Sequence, residues 1–328
     1  MSIFSNSSSQ NPLGGILLLV FTVFLFSLQD VTIKYFSDQY SVLQIVFVRG
    51  VIAVSLMWFV ARQISGSRQL ISQRPFLAMS RGVLGFCSYT TYYLAVASLP
   101  LAEVVAIVFT APLFVTLLSA LLLGEKVGLR RWCAVFAGFV GVLIIVGPAG
   151  EFGNLAVILA FAASIFYASY IIITRFLASH DTPLSIAFNA LVVFTGASAL
   201  LSLMMASGFI SITSSHPSLI FLARDWVLPG AFDLCLMVFL GLNGAVAFYC
   251  LSKAYCVAPA STIAPFEFTY VIWAVVFGYL FWSEIPRPTT LVGLMILIGS
   301  SIYIWNRERN LQRQEIYIQP HKTAEFAR

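Results

Sequence analysis

GVLGFCSYTTYYLAVASLPLAEVVAIVFTAPLFVTLLSALLLGE (residues 82–125) and GLNGAVAFYCLSKAYCVAPASTIAPFEFTYVIWAVVFGYLFWSE (241–284) read as one segment written twice. They align without a gap, and eight of 44 positions are identical: Gly82/Gly241, Gly85/Gly244, Ala95/Ala254, Pro100/Pro259, Phe109/Phe268, Thr110/Thr269, Leu121/Leu280 and Glu125/Glu284. Identity is low, but placement is informative. Each copy is an apolar helix, a tight proline turn, a second apolar helix and an acid at its end. The duplication extends upstream: Lys34–Phe47 matches Arg175–Phe188, with Leu43/Leu184, Ile45/Ile186 and Phe47/Phe188 identical. The offset changes from 141 to 159 because the second half has a longer connection near 207–228.

The solvent of these helices follows from composition. The 328 residues are 60% hydrophobic and 9% charged, with a mean hydropathy of +0.94. A soluble domain carries about 25% charged residues. So little charge cannot cover a water-facing surface, and lipid is the expected solvent. Apolar runs of span length fall at 13–36, 42–62, 76–97, 101–123, 129–147, 154–177, 183–206, 229–253, 261–282 and 287–305. Residues 1–12 form a polar N-terminal tail lacking the basic start of a secretory signal, and 306–328 form a charged C-terminal tail.

Orientation follows from Lys and Arg. With the N-terminus in the cytoplasm, that side holds Arg62, Arg68, Arg74, Arg81, Lys126, Arg130, Arg131, Arg175, Lys253, Arg307, Arg309, Arg313, Lys322 and Arg328. The far side keeps Lys34, Arg49, Arg224 and Arg287, a 14-to-4 split that obeys the positive-inside rule. The net charge of +5 is this asymmetry and needs no nucleic acid to explain it. Each repeat has five spans. Five is odd, so the second copy enters from the opposite side and the repeats are inverted. The expected fold is therefore an all-α integral membrane protein. It has ten transmembrane helices in two inverted five-helix repeats, 13–147 and 154–305, and both termini are cytoplasmic.

The stretches LPLAEVVAIVFTAPLFVTLLSALLLGEKVGLRRW (99–132) and VAPASTIAPFEFTYVIWAVVFGYLFWSEIPRPTTLVGLMILIGSSIYI (257–304) resemble the EamA branch of the drug/metabolite transporter superfamily. Within it, APFEFTYVIWAV is most similar to the riboflavin and S-adenosylmethionine carriers. The resemblance implies a secondary carrier with a central cavity lined by the first, third, fourth, sixth, eighth and ninth spans. It implies a small metabolite as partner: riboflavin or S-adenosylmethionine on uptake, or amino acids or opine metallophores on export. The implied setting is a bacterial-type cytoplasmic (inner) membrane. A proton or other ion and a second copy of the chain are further expected partners.

Charged groups inside a bilayer are candidate functional groups. Asp30 shares a helix face with Ser27 and Lys34; it either pairs locally with Lys34 or serves a proton or a substrate ammonium. Arg49 either locks Asp30 or binds a substrate carboxylate. Glu267 follows Pro265, whose ring frees the carbonyl of Ser261, and Tyr270 lies one turn further on. Pro112 frees the carbonyl of Val108 in the same way, and both prolines are expected to kink their spans. Tyr89 belongs to the hydroxyl run Ser88–Tyr93, of which Tyr92 and Tyr93 fit an interfacial belt. Tyr167 and Tyr170 lie on one face with Ser164 and Thr174, and suit a planar or cationic solute. Asn243 is either a solute contact or interhelical glue. Glu103, Glu125 and Glu284 read as gates or helix starts, with Glu103 favoured by a helix dipole. The paired glycines read as packing residues.

Several classes are excluded. The cysteines Cys87, Cys133, Cys235, Cys250 and Cys256 lie in apolar stretches without metal-ligand spacing, and His180, His216 and His321 fall in loops or the tail. No metal or cofactor is expected, and an intramembrane enzyme lacks its histidine and its GxSxG. No Walker sequence is present, so ATP is not the direct energy source. An intramembrane receptor or scaffold is the non-transport alternative.

Overall fold

The computed structural model describes residues 12–64, 70–122, 129–146, 154–212, 214–258, 266–267, 269–299 and 302–303. Among these residues every regular element is helical. The helices are α1 (Pro12–Phe36), α2 (Val42–Ile64), α3 (Pro75–Val96), α4 (Leu101–Val108), α5 (Ala111–Leu122), α6 (Leu129–Val146), α7 (Leu155–Leu177), α8 (Pro183–Ala206), α9 (Pro217–Ala223), α10 (Ala231–Val257), α11 (Thr269–Trp282) and α12 (Pro288–Gly299). Five of them, α1, α2, α7, α8 and α10, are long and apolar enough to cross a membrane. α3 has 22 residues, with the polar run Ser88–Tyr93 in its second half. The short α9 sits in the long connection between α8 and α10.

Helix starts follow local chemistry. Asn154 caps α7 by accepting the amide of Ala156 at 2.9 Å. Thr182 caps α8 through Ser185 N at 3.1 Å, with Pro183 just inside, where no donor is needed. Packing pairs elements from the two halves of the chain: α3 lies on α7 and α8, α1 on α10 and α11, α2 on α8 and α10, and α5 on α7. Two glycines set the close approaches. A Cβ on Gly82 of α3 would stand 2.6–2.9 Å from the Val193 side chain of α8. A Cβ on Gly241 of α10 would meet Ile52 at 2.6 Å and the Arg49 carbonyl of α2 at 3.0 Å.

The expected continuous span over 101–123 is two helices. α4 ends at Val108, Phe109 and Thr110 form a turn, and α5 starts at Ala111. Pro112 therefore does not kink a continuous helix. It occupies the first turn of α5, where its missing N–H costs nothing. The Thr110 carbonyl accepts Leu113 N at 2.9 Å, and its hydroxyl donates to Ser164 Oγ of α7 at 2.9 Å. In the second half, a short 3₁₀ turn at Phe266–Glu267 precedes α11, which begins at Thr269, the partner of Thr110. Pro265, expected to kink that span, and Glu125 lie outside the described residues.

Candidate functional site

A cavity of about 180 Å³ lies between α1, α3, α4, α7, α10 and α11, with Phe194 of α8 closing one side. On α1 it runs from Leu19 past Phe26 to Asp30, a path of about 16 Å at 1.5 Å per residue. Its wall is aromatic, and Asp30 and Glu267 supply its acids.

Asp30 is 1% exposed and is the hub. Tyr93 Oη donates to Oδ1 at 2.7 Å, Tyr92 Oη to Oδ2 at 3.1 Å, and Tyr270 Oη also donates to Oδ2. Tyr92 and Tyr270 hydroxyls are themselves 3.1 Å apart. The carboxylate of α1 is thus tied to α3 and, through Tyr270, to α11 in the second half of the chain. The local Asp30–Lys34 pair does not form. Lys34 instead bonds Glu284 and lies 5.0 Å from the Trp282 ring centre.

Tyr92 and Tyr93 are not belt residues: they are 9% and 2% exposed, with their hydroxyls turned inward. The belt reading fails because an apolar depth scale ignores the carboxylate that these phenols solvate. Tyr89 lines the cavity, and Tyr167 and Tyr170 stack in it with centroids 6.0 Å apart and planes 18° apart. Glu267 reaches the cavity and bonds Tyr255 Oη.

Two candidates stand behind the wall. Arg49 is 2% exposed; its Nη1 donates to Gln29 Oε1 at 2.5 Å, and its guanidinium lies 4.1 Å from the Tyr89 ring centre. It bonds Asp30 only through other residues. Asn243 is not among the cavity-lining residues: its Nδ2 donates to the Leu25 carbonyl at 3.0 Å, joining α10 to α1. Arg81, counted above with the cytoplasmic face, is 2% exposed inside the bundle. Its Nε donates to Thr174 Oγ1 at 2.7 Å, Nη1 to the Ile186 carbonyl at 2.9 Å, and Nη2 to Tyr170 Oη.

Two of the gate candidates, Glu103 and Glu284, form a second cluster at the Pro100 end of the bundle. Glu284 accepts from Lys34 and from Leu101 N, the latter at 3.0 Å. Ser283, with φ of 55°, turns the chain back so that Glu284 lies against Gly278, where a Cβ would meet its Oε2 at 3.3 Å. Glu103 is held by more than a helix dipole: Arg287 grips it in a fork, Nε to Oε1 at 2.6 Å and Nη2 to Oε2 at 2.7 Å.

Comparison with known proteins identifies this arrangement. The model of the EamA-like transporter family matches residues 13–147 and 154–306. The chain belongs to the EamA-like transporter family. It is a membrane protein related to transporters rather than to enzymes. It is 26% identical over 307 residues to an S-adenosylmethionine uptake transporter of Rickettsia prowazekii, covering 93% of this chain and 96% of that protein. It is 28% identical over 313 residues to a riboflavin transporter of Vibrio cholerae serotype O1, covering 94% and 98%. A crystal structure at 16% identity superposes with a TM-score of 0.62 over 90% of this chain and 98% of that one, a likeness of fold alone.

As the resemblance implied, the cavity of this EamA-like chain draws on the first, third, fourth, sixth, eighth and ninth apolar segments, with Phe194 of the seventh added. Gln29, Tyr92, Tyr93, Tyr255 and Arg81 were the residues that sequence reasoning missed. Gln29, an amide beside Asp30 in an apolar run, was the available clue.

Proposed function

We propose that this protein is a secondary carrier that moves a small planar, cationic metabolite across a bacterial inner membrane by alternating access. Ten spans in two inverted five-helix repeats, 13–147 and 154–305 with both termini cytoplasmic, provide the two rocking units. The packing supports this reading: exchanging the halves turns the α3–α7 contact into α10–α1, and α3–α8 into α10–α2. The Pro100 end is then the outer face, closed by the Lys34–Glu284 and Glu103–Arg287 pairs.

The observation that carries the proposal is Asp30 held by phenols from both halves at the end of an aromatic cavity. A solute with positive charge and an aromatic ring replaces the hydroxyls at Asp30 and lies against Tyr89 and Tyr167. When it binds, Tyr270 is released from Asp30 and α11 is freed from α1, which couples binding to rocking. A proton reaching Asp30 does the same and is the coupling ion. S-adenosylmethionine, a sulfonium bearing adenine, fits this wall better than uncharged riboflavin, which leaves both acids unmatched.

The test is uptake into liposomes of purified protein, comparing S-adenosylmethionine with riboflavin, with and without a pH gradient. Saturable S-adenosylmethionine uptake that is lost in Asp30→Asn, in a variant that still purifies as folded protein, is expected. Riboflavin uptake unaffected by Asp30→Asn would overturn the cationic reading. No movement of either solute under any gradient would favour a receptor or scaffold.

A further inference from the structure

A single chain of hydrogen bonds joins the buried Arg49 to Asp30 in the cavity wall. Arg49 Nη1 donates to Gln29 Oε1 at 2.5 Å, Gln29 Nε2 donates to Tyr93 Oη at 3.1 Å, and Tyr93 Oη donates to Asp30 Oδ1 at 2.7 Å. The direction is dictated by chemistry. A guanidinium has no acceptor, so Gln29 must turn its oxygen to Arg49 and its amide hydrogens to Tyr93. Tyr93 oxygen is then an acceptor on one side, and its one hydrogen goes to Asp30. No carboxylate pairs directly with Arg49 among the described residues. Both charged groups are at most 2% exposed, so each needs the other's field.

We propose that Arg49 is a positioning residue for Asp30, acting through Gln29 and Tyr93 to keep that carboxyl facing the cavity and to favour its ionised form. This rests on Asp30 being the acid that meets the solute, and it divides labour among the tyrosines. Tyr93 is held from behind and stays. Tyr92 and Tyr270, which share Oδ2 and each other, are the donors that leave when a cation or proton arrives. Arg49 has its face on Tyr89 and its Nη1 committed to Gln29.

The test needs no known substrate. Dicyclohexylcarbodiimide reacts with protonated buried carboxyls, and the full-length protein in detergent is labelled at pH 9 and read at Asp30 by peptide mass spectrometry. Asp30 is expected to label about tenfold faster in Arg49→Gln and in Gln29→Leu than in the parent, corresponding to about 1.4 kcal/mol. The double variant should be no faster than either single one, because both cut the same chain. Arg49→Lys, which keeps a charged donor, should label within about twofold of the parent. Equal labelling in all variants overturns the proposal. So does Arg49→Lys labelling as fast as Arg49→Gln, since that assigns Arg49 to packing on Tyr89. Should Arg49→Gln not fold, Gln29→Leu against the parent decides the same question. Absence of solute uptake by the parent removes the carrier reading and leaves the labelling result intact. Uptake with uniform labelling removes the role of Arg49 alone.

Discussion

Glu284→Gln tests whether the ion-pair cluster at the Pro100 end holds that end shut. Glu284 bonds Lys34 and Leu101 N at once, joining the end of α1, the start of α4 and the segment after α11. A charge-assisted hydrogen bond contributes about 1.5–3 kcal/mol. Glutamine keeps the shape and one acceptor oxygen, so the Leu101 contact survives and the charged one weakens. The side chains of Lys34 and Glu284 are 10% and 21% exposed, so solvent screens the pair only partly. That puts the loss at about 1.5 kcal/mol, toward the lower bound. A loss of that size shifts the ratio of closed to open forms by about tenfold.

The readout is Val105→Cys in a background without the five native cysteines. Val105 lines the cavity and is fully buried. Its labelling by a membrane-impermeant maleimide added from the Pro100 side should be about tenfold faster with Glu284→Gln, and equally so with Lys34→Gln. Unchanged labelling in both would refute the latch. A rise in Glu284→Gln alone would transfer the effect from the ion pair to the cap on Leu101.

Tyr93→Phe removes the 2.7 Å bond to Asp30 and the link to Gln29 and should lower stability by about 1–3 kcal/mol, more than Tyr92→Phe, whose contacts to Asp30 and Tyr270 are both 3.1 Å, as measured by thermal unfolding in detergent. Equal shifts would contradict the division between fixed and leaving phenols. Gly82→Ala drives a methyl into Val193 and should cost about 1–3 kcal/mol, whereas Gly196→Ala meets nothing within 4 Å and should gain about 0.5–1 kcal/mol in the same assay. Glu103→Gln and Arg287→Gln should each loosen the Pro100 end, and the double variant should add little to either single one in the Val105 labelling readout, because the two residues share one fork.

The helical fold was legible because lipid imposes it: apolar length marks spans, and the repeated glycines mark close approaches such as Gly82 on Val193. The break in the fourth apolar segment was half legible. The prolines pointed to discontinuity, but the turn itself is at Phe109–Thr110, a pair that the duplication had marked as shared. Asp30, Glu267, Tyr89, Tyr167, Tyr170 and Tyr270, singled out as ionisable and hydroxyl groups at depth, all line the cavity. The partners were not legible. Lys34 lies one turn from Asp30 yet binds a residue 250 positions away. Tyr92 and Tyr93 were assigned by depth alone, although their role depends on which helix they face. Helical spacing gives the face of one helix, while pairing across helices depends on tertiary packing.

The burial of Arg81 has a consequence for the order of membrane insertion. α3 enters the bilayer carrying a guanidinium whose partners, Tyr170, Thr174 and Ile186, lie 89, 93 and 105 residues further along the chain. At 5–20 residues per second, ribosomes take roughly 5–20 s to deliver them. Throughout that interval Arg81 must keep to the water interface, and α3 cannot settle at its final depth. The first half of the chain is therefore not a self-sufficient folding unit. Its third helix is drawn into place by the second half, so a chain stopped after residue 147 would hold α3 shallow, with Arg81 still open to water-soluble reagents.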